Sequence, residues 1–171
     1  SEYAETLTYI SQRGDAALYH GPLGDILDDY MKRKGGFIAR EDLTGYKTVE
    51  RQPIRADYRG WQILGPPPPA ASGVHITQML NILEGYDIRK MGFGSADYLH
   101  LLIEAKKLTY EDRAQYYADP DFYEPPIARL ISKDYANERR ALIDPRKAAS
   151  KYTAGDMLDD GMREHPIERS I

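Results

Sequence analysis

A dozen residues, EDRAQYYADPDF from Glu111 to Phe122, hold four acids and one arginine. Carboxylates gathered this way can move protons or bind a hard cation. Asp112 also falls on the apolar stripe of a helix, with Tyr98, Leu101, Leu102, Ala105 and Leu108. A charge there needs a partner, which Arg113 or a backbone N–H could supply. The cluster therefore reads first as a buried network pinning the loop Asp119 to Phe122, with acid–base or metal chemistry as the sharper alternative. A second candidate is Ser72, in the run GPPPPAASG. A nucleophile elbow, Gly-x-Ser-x-Gly, would need glycines where Ala70 and Val74 stand. The N–H groups of a helix starting at Ser72 could hold an anion such as a carboxylate, but every helix start has them. His20, His75, His100 and His165 lack the spacing of a zinc site, and Gly92-Phe93-Gly94 fits neither phosphate-loop nor dinucleotide patterns. These residues name no catalytic, cofactor-binding or metal-ligating side chain, and no cofactor.

The elements that would position them are mostly helices. Tyr3, Leu7 and Ile10 share a face of a first helix that Gly14 ends, and a second starts at Pro22, aligns Leu23, Ile26, Leu27 and Tyr30, and stops at Gly35-Gly36. A short helical turn is expected at Glu41-Asp42-Leu43. After Lys47 the period becomes two: Ile54, Ala56 and Tyr58, then Trp61 and Ile63 beyond Arg59-Gly60, predict a β-hairpin. An isolated hairpin is marginal, so this one should join a larger sheet. Pro66 to Pro69 then end the strand. The small residues Ala70 to Gly73 would admit another backbone or a ligand. Ser72 is expected to cap a helix whose buried stripe is Ile76, Met79, Leu80 and Leu83. The longest helix should run from the N-cap Ser95 to about Ala118, with Glu104, Lys107 and Glu111 on a separate face at ion-pair spacing.

Composition narrows the class further. The 171 residues include 42% hydrophobic and 29% charged side chains, 23 basic against 27 acidic. That predicts one folded domain, 1–171, and no broad positive surface for nucleic acid. Cysteine is absent, which excludes disulfides and thiolate chemistry and leaves the compartment open. No apolar run approaches the roughly 20 residues of a membrane span.

Two long motifs add a resemblance. The first is GPPPPAASGVHITQMLNILEGYDI, through Pro66 to Pro68, Ser72, Gly73, His75, Gln78, Leu80, Asn81, Leu83 and Glu84. The second is GFGSADYLHLLIEAKKLTYEDRAQYYADPDF, through Glu104, Ala105, Lys107, Tyr110, Asp112, Arg113 and Asp119 to Phe122. Together they resemble the γ-glutamyltranspeptidase family. Upstream, Gly21-Pro22, Gly35-Gly36, Asp42-Leu43, Tyr46, Pro53 and Tyr58-Arg59-Gly60 fall in the same register, and the resemblance spans about Leu18 to Ile143. Pro69-Ala70-Ala71 departs from the Ser-Ser-Gly-rich sequence more usual in the family.

The resemblance implies an α+β, helix-rich part of an N-terminal-nucleophile hydrolase, an αββα sandwich made as a precursor that cleaves itself. A threonine at the head of a small subunit would transfer or hydrolyse the γ-glutamyl group of glutathione and related amides. That threonine, and the arginine that grips the substrate carboxylate, are expected outside residues 1–171. The present stretch would then be the C-terminal portion of a large subunit, inactive alone. Its residues 144–171 would form an extended tail leading toward the small subunit, its partner, which would also be the segment passing close to Gly73. A periplasmic or secreted location is compatible with the resemblance. A cephalosporin acylase or another amidohydrolase of the same family is the alternative within this class, and a non-catalytic helical interaction module the alternative outside it.

Overall fold

Gly14 and Gly35 set the first boundaries, as their positions in the sequence predict. In the computed structural model, which describes residues 1–157, helix α1 (Glu2–Arg13) ends at Gly14 and helix α3 (Pro22–Lys34) ends at a left-handed Gly35. Between them lies the short α2 (Ala16–Tyr19), and α4 (Arg40–Gly45) follows. These helices make up a compact unit, residues 1–50. Arg40 ties it together: its guanidinium pairs with Asp25 at 2.9 Å and donates to the Tyr19 carbonyl at 3.0 Å. The amphipathic pattern of α1 gives a helix but no core, since α1 buries no side chain and Tyr3 is 73% exposed.

A second unit begins at Arg51. Strands β1 (Ile54–Tyr58) and β2 (Trp61–Gly65) pair antiparallel, Ile54 opposite Gly65 and Tyr58 opposite Trp61. Arg59 and Gly60 both take positive φ, 50° and 84°, as a two-residue hairpin loop demands. Among the described residues the sheet has these two strands alone. The hairpin packs on α5 (Ser72–Leu83), and α5 packs in turn on α7 (Ala96–Tyr116), α8 (Ile127–Leu130) and α9 (Lys133–Arg140). The short α6 (Ile88–Met91) lies against α7. One apolar cluster joins Ile82, Leu83, Leu101, Ala105, Leu108, Ala136 and Ile143; the other joins Ile54, Val74, Leu130, Tyr135 and Met157. The chain is thus a helix-rich α+β protein.

Helix α5 turns a different face inward from the one its apolar residues suggest. Val74, Thr77, Gln78, Asn81 and Ile82 are buried, whereas Ile76 is 50% exposed and Met79 and Leu80 only half-buried; Leu83 alone of the expected stripe is inside. The reason is polar: Gln78 and Asn81 find hydrogen-bond partners on α7 and beside α9, and satisfying them fixes the rotation of the helix. Nor does Ser72 cap α5. The N-cap position is Ala71, and no side chain bonds the first turn.

The small residues before α5 do admit another backbone, and it belongs to this chain. A Cβ on Gly65 would lie 2.6 Å from the Gly73 Cα, and one on Gly73 would collide with the Pro66 carbonyl oxygen. The end of β2 and the start of α5 pass in direct contact there, which accounts for both glycines.

Candidate functional site

Helix α7 carries two fully buried acids, Glu104 and Asp112, eight positions apart. Its N-cap is the expected one: the Ser95 hydroxyl oxygen accepts from the Tyr98 amide. Asp112 receives the Arg139 guanidinium at 3.1 Å, the Gln78 side-chain amide at 2.5 Å and the Gly155 backbone N–H at 2.9 Å. Burial raises its carboxyl above the usual range, and the Gly155 bond and Arg139 offset only part of that. Glu104 receives Lys107 at 2.7 Å, the Tyr152 hydroxyl at 2.5 Å and the Ala149 N–H at 3.2 Å. Burial raises its carboxyl too, but here those three donors prevail and hold it below the usual range.

Both acids grip the same irregular segment, residues 149–157. Lys107 donates to the Ala149 carbonyl, Arg139 to that of Thr153 at 2.8 Å, and the Tyr116 hydroxyl to that of Gly155 at 2.6 Å. Met157 is buried against Val74 and Leu130. The described part of the expected tail therefore has no helix or strand but is strapped along α7 and α9; residues 158–171, with His165, lie outside the described residues.

Of the two partners expected for Asp112, the backbone N–H is present as that of Gly155, whereas the cation is Arg139, on α9, in place of Arg113. Arg113 is exposed, with its guanidinium over the Tyr110 ring at 5.9 Å. The loop Asp119 to Phe122 also stands outside the network. Asp119 accepts from the Asp121 amide in a local turn, Asp121 pairs with Arg51 at 3.5 Å, and Phe122 is 90% exposed. Glu104, expected on a face apart from the apolar stripe, pairs with Lys107 as its spacing suggests, and it does so from inside the protein.

Sequence reasoning missed α9 and the side chains it supplies. Lys133 donates to the Asp57 carbonyl, Asn81 Oδ1 and Glu84 Oε2, the last at 2.6 Å, and Glu84 also accepts from the Arg59 amide at 2.9 Å. Arg140 donates to the carbonyls of Asn81 and Ile82 at the C-terminal end of α5. Two cations thus meet the end of α5 whose carbonyls lack helical partners. One signal was available: Ser132 caps α9 through the Tyr135 amide, with Asp134 in its first turn and Arg139 and Arg140 in its last.

A cleft of about 380 Å³ has walls that include Pro68, Val74, Tyr117, Ile127 and Leu130, with Arg113 at its side. The His75 ring stacks between Tyr110 and Tyr117, at 5.4 and 4.7 Å. Burial, then Arg113, pulls its imidazole below the usual range, and burial pushes the Tyr117 hydroxyl far up. His100 instead meets the Asp144 carbonyl at 2.8 Å, and among the described residues no three acids or histidines are placed to hold a metal ion. Ser72 is exposed at the start of α5.

The geometry therefore offers two acids held by internal donors, a cross-linked helix end and a cleft lined by Arg113 and Tyr117. A family model described as gamma-glutamyltranspeptidase matches residues 1–167. An acylase ACY 1 proenzyme of Pseudomonas sp. strain SE83 is 57% identical over 91% of this chain and 28% of its own length. A glutathione hydrolase proenzyme of Escherichia coli K12 is 45% identical over 85% of this chain and 25% of its own. The crystal structure of Helicobacter pylori gamma-glutamyltranspeptidase superposes with a TM-score of 0.82 at 32% identity, covering 94% of this chain and 47% of that one. The chain thus spans about a quarter of the length of the curated relatives it matches.

Proposed function

The chain belongs to the γ-glutamyltranspeptidase family, and from that membership we propose that residues 1–171 are the C-terminal portion of the large subunit of a self-processing enzyme. In this reading a threonine beyond the present residues leads the small subunit. Its hydroxyl oxygen bonds to the γ-glutamyl carbonyl carbon while its own α-amino group takes the hydroxyl proton and returns it to the departing amine. Water or an amino acid then displaces the acyl group from the threonine. Residues 1–171 contribute no nucleophile, base, cofactor ligand or metal ligand. Their part is to support the small subunit.

The observation that carries the reading is the family match along residues 1–167. Two features support a scaffold role. Asp112 and Glu104 spend their oxygens on internal donors, leaving neither open to a substrate. The hairpin supports membership of a larger αββα sandwich, because β1 and β2 each have one strand neighbour among the described residues.

A second reading has its own observation. The 57% identity with an acylase proenzyme exceeds the 45% with the glutathione hydrolase, which favours an acylase, a cephalosporin acylase or another amidohydrolase of the same family, over a glutathione hydrolase. Both readings share one test. A precursor continuing past Ile171 is expressed, its pieces are weighed by mass spectrometry, and the product is assayed on a γ-glutamyl anilide and on a cephalosporin amide. Cleavage before a threonine with γ-glutamyl release is expected; turnover of the cephalosporin amide alone selects the acylase, and an uncleaved, inert precursor overturns both.

A further inference from the structure

The irregular segment 149–157 is held by different forces at its two ends. At the first end the grip is ionic. Glu104 accepts the Ala149 N–H and the Tyr152 hydroxyl, and the Lys107 ammonium paired with Glu104 also donates to the Ala149 carbonyl and lies 5.5 Å from the centre of the Tyr152 ring. At the second end Asp112 accepts the Gly155 N–H, but most of the grip needs no carboxylate. The Tyr116 hydroxyl and the Arg139 guanidinium donate to the carbonyls of Gly155 and Thr153, and Met157 is buried beside Val74 and Leu130. Upstream the chain is fixed again at buried Ile143 and at the Asp144 carbonyl, which His100 meets at 2.8 Å. Past that point residues 145–148 are all exposed. Residues 145–152 are therefore a flap between two fixed points, held over a buried carboxylate.

We propose that residues 145–152 form an acid-released flap: when Glu104 takes up a proton, Ala149 and Tyr152 come away from α7 while Thr153 to Met157 stay docked. Two donors on Glu104 belong to the flap itself, so discharging one carboxylate weakens both bonds at once, hydrogen bonds to a charge being roughly twice as strong as neutral ones. Lys107, partly exposed, then loses its counter-ion and can turn its ammonium to water. Linkage gives the same sign. Lys107, Tyr152 and Ala149 hold the Glu104 carboxyl below its usual range, so the closed flap binds the proton less tightly than the open one and acid favours opening. Around Tyr152, Arg139 is a permanent cation and burial pushes the Tyr86 hydroxyl up, so neither titrates in acid. Asp112 acts in the opposite sense. Arg139 and Gln78 stay with it if the segment leaves, and burial raises its carboxyl, so acid favours keeping it covered. The tyrosines about it, Tyr116, Tyr117 and Tyr135, are all pushed up and stay neutral in acid.

Amide exchange in the full-length protein, resolved to single residues by mass spectrometry and corrected for the intrinsic pH dependence of exchange, tests this from about pH 7 down to about pH 3. Protection of the Ala149 amide should fall below pH 4.5, the usual glutamate value, by up to about ten-fold per pH unit, the slope of one proton taken up, while Gly155 keeps its protection. In Glu104→Gln the Ala149 amide should exchange fast at every pH, without an acid slope; in Asp112→Asn that slope should persist. Ala149 and Gly155 falling together, an Ala149 protection indifferent to pH, or an acid slope that survives Glu104→Gln would each overturn the proposal. Should Glu104→Gln fail to fold, Tyr152→Phe decides. Having lost one flap bond, it should show weaker Ala149 protection at neutral pH and a smaller acid decline, and an unchanged decline would overturn the proposal.

Discussion

Asp112 lies wholly out of solvent with one cation, Arg139, at 3.1 Å. Removing that cation strands a buried charge, so Arg139→Leu should destabilise the chain by about 3 kcal/mol or more. Arg113→Leu, one residue from Asp112 but exposed, should change stability by no more than about 0.5 kcal/mol. Urea titrations of the two variants at pH 7 check the contrast, and equal losses would mean that the ion pair has been misassigned. The two acids should also respond to pH in opposite senses. Glu104 is held below its usual value of 4.5, so its contribution is complete above that pH and disappears as pH falls through the folded value; Glu104→Gln should flatten the acid side of the stability profile. Asp112 is raised above 3.8, so the folded state holds its proton more tightly than the unfolded one and stability declines as pH climbs from 3.8 through the folded value. Asp112→Asn should remove that decline, measured as the urea midpoint across the same pH series.

Helix α5 shows what a helix start tolerates. A methyl group on Gly73 runs into the Pro66 carbonyl, and backbone cannot swing aside as a flexible side chain can. Gly73→Ala should therefore cost roughly 1–3 kcal/mol, and Gly73→Val more, while Ser72→Ala, which removes no cap, should stay within about 0.5 kcal/mol. Thermal melts of the variants test the order, and a larger loss in Ser72→Ala would reveal a bond made by its hydroxyl. The same helix shows how far the sequence could be read. Helix ends at Gly14 and Gly35, the hairpin register and the Ser95 cap were legible because local backbone chemistry decides them. The buried face of α5 was not, because Gln78 and Asn81 choose it through partners 34 and 50 positions away. Helix α9 was missed for want of an apolar stripe; its work is done by Lys133, Arg139 and Arg140, and only its cap and charge order announce it. Of the candidate cluster, Asp112 was rightly read as buried and paired, but its partner sits in that unread helix.

At the scale of the whole chain, much apolar surface is exposed among the described residues. Tyr3, Leu7 and Ile10 on α1, and Ile76 with half-buried Met79 and Leu80 on α5, all face outward. Faces of this kind mark surfaces that another segment covers. Residues 1–171 expressed alone should therefore self-associate, measured by sedimentation, and Ile76→Glu should reduce that association without lowering the melting temperature. The isolated chain should also release no product from a γ-glutamyl anilide, and turnover above background would place chemistry where a scaffold has been proposed.

The strap of residues 149–157 has one more consequence, visible to exchanging deuterium. Its amides lie outside any helix or strand and should lose their protons quickly. Some are bonded inside the protein: the N–H of Ala149 is bonded to Glu104 and that of Gly155 to Asp112, each to a carboxylate. Their protons can leave only when the strap lifts away from α7. In an exchange experiment the amides of Ala149 and Gly155 should stand out as slow points within the segment. Because the two anchors are separate carboxylates, the difference between those two rates would report whether the strap peels from one end or detaches as a piece.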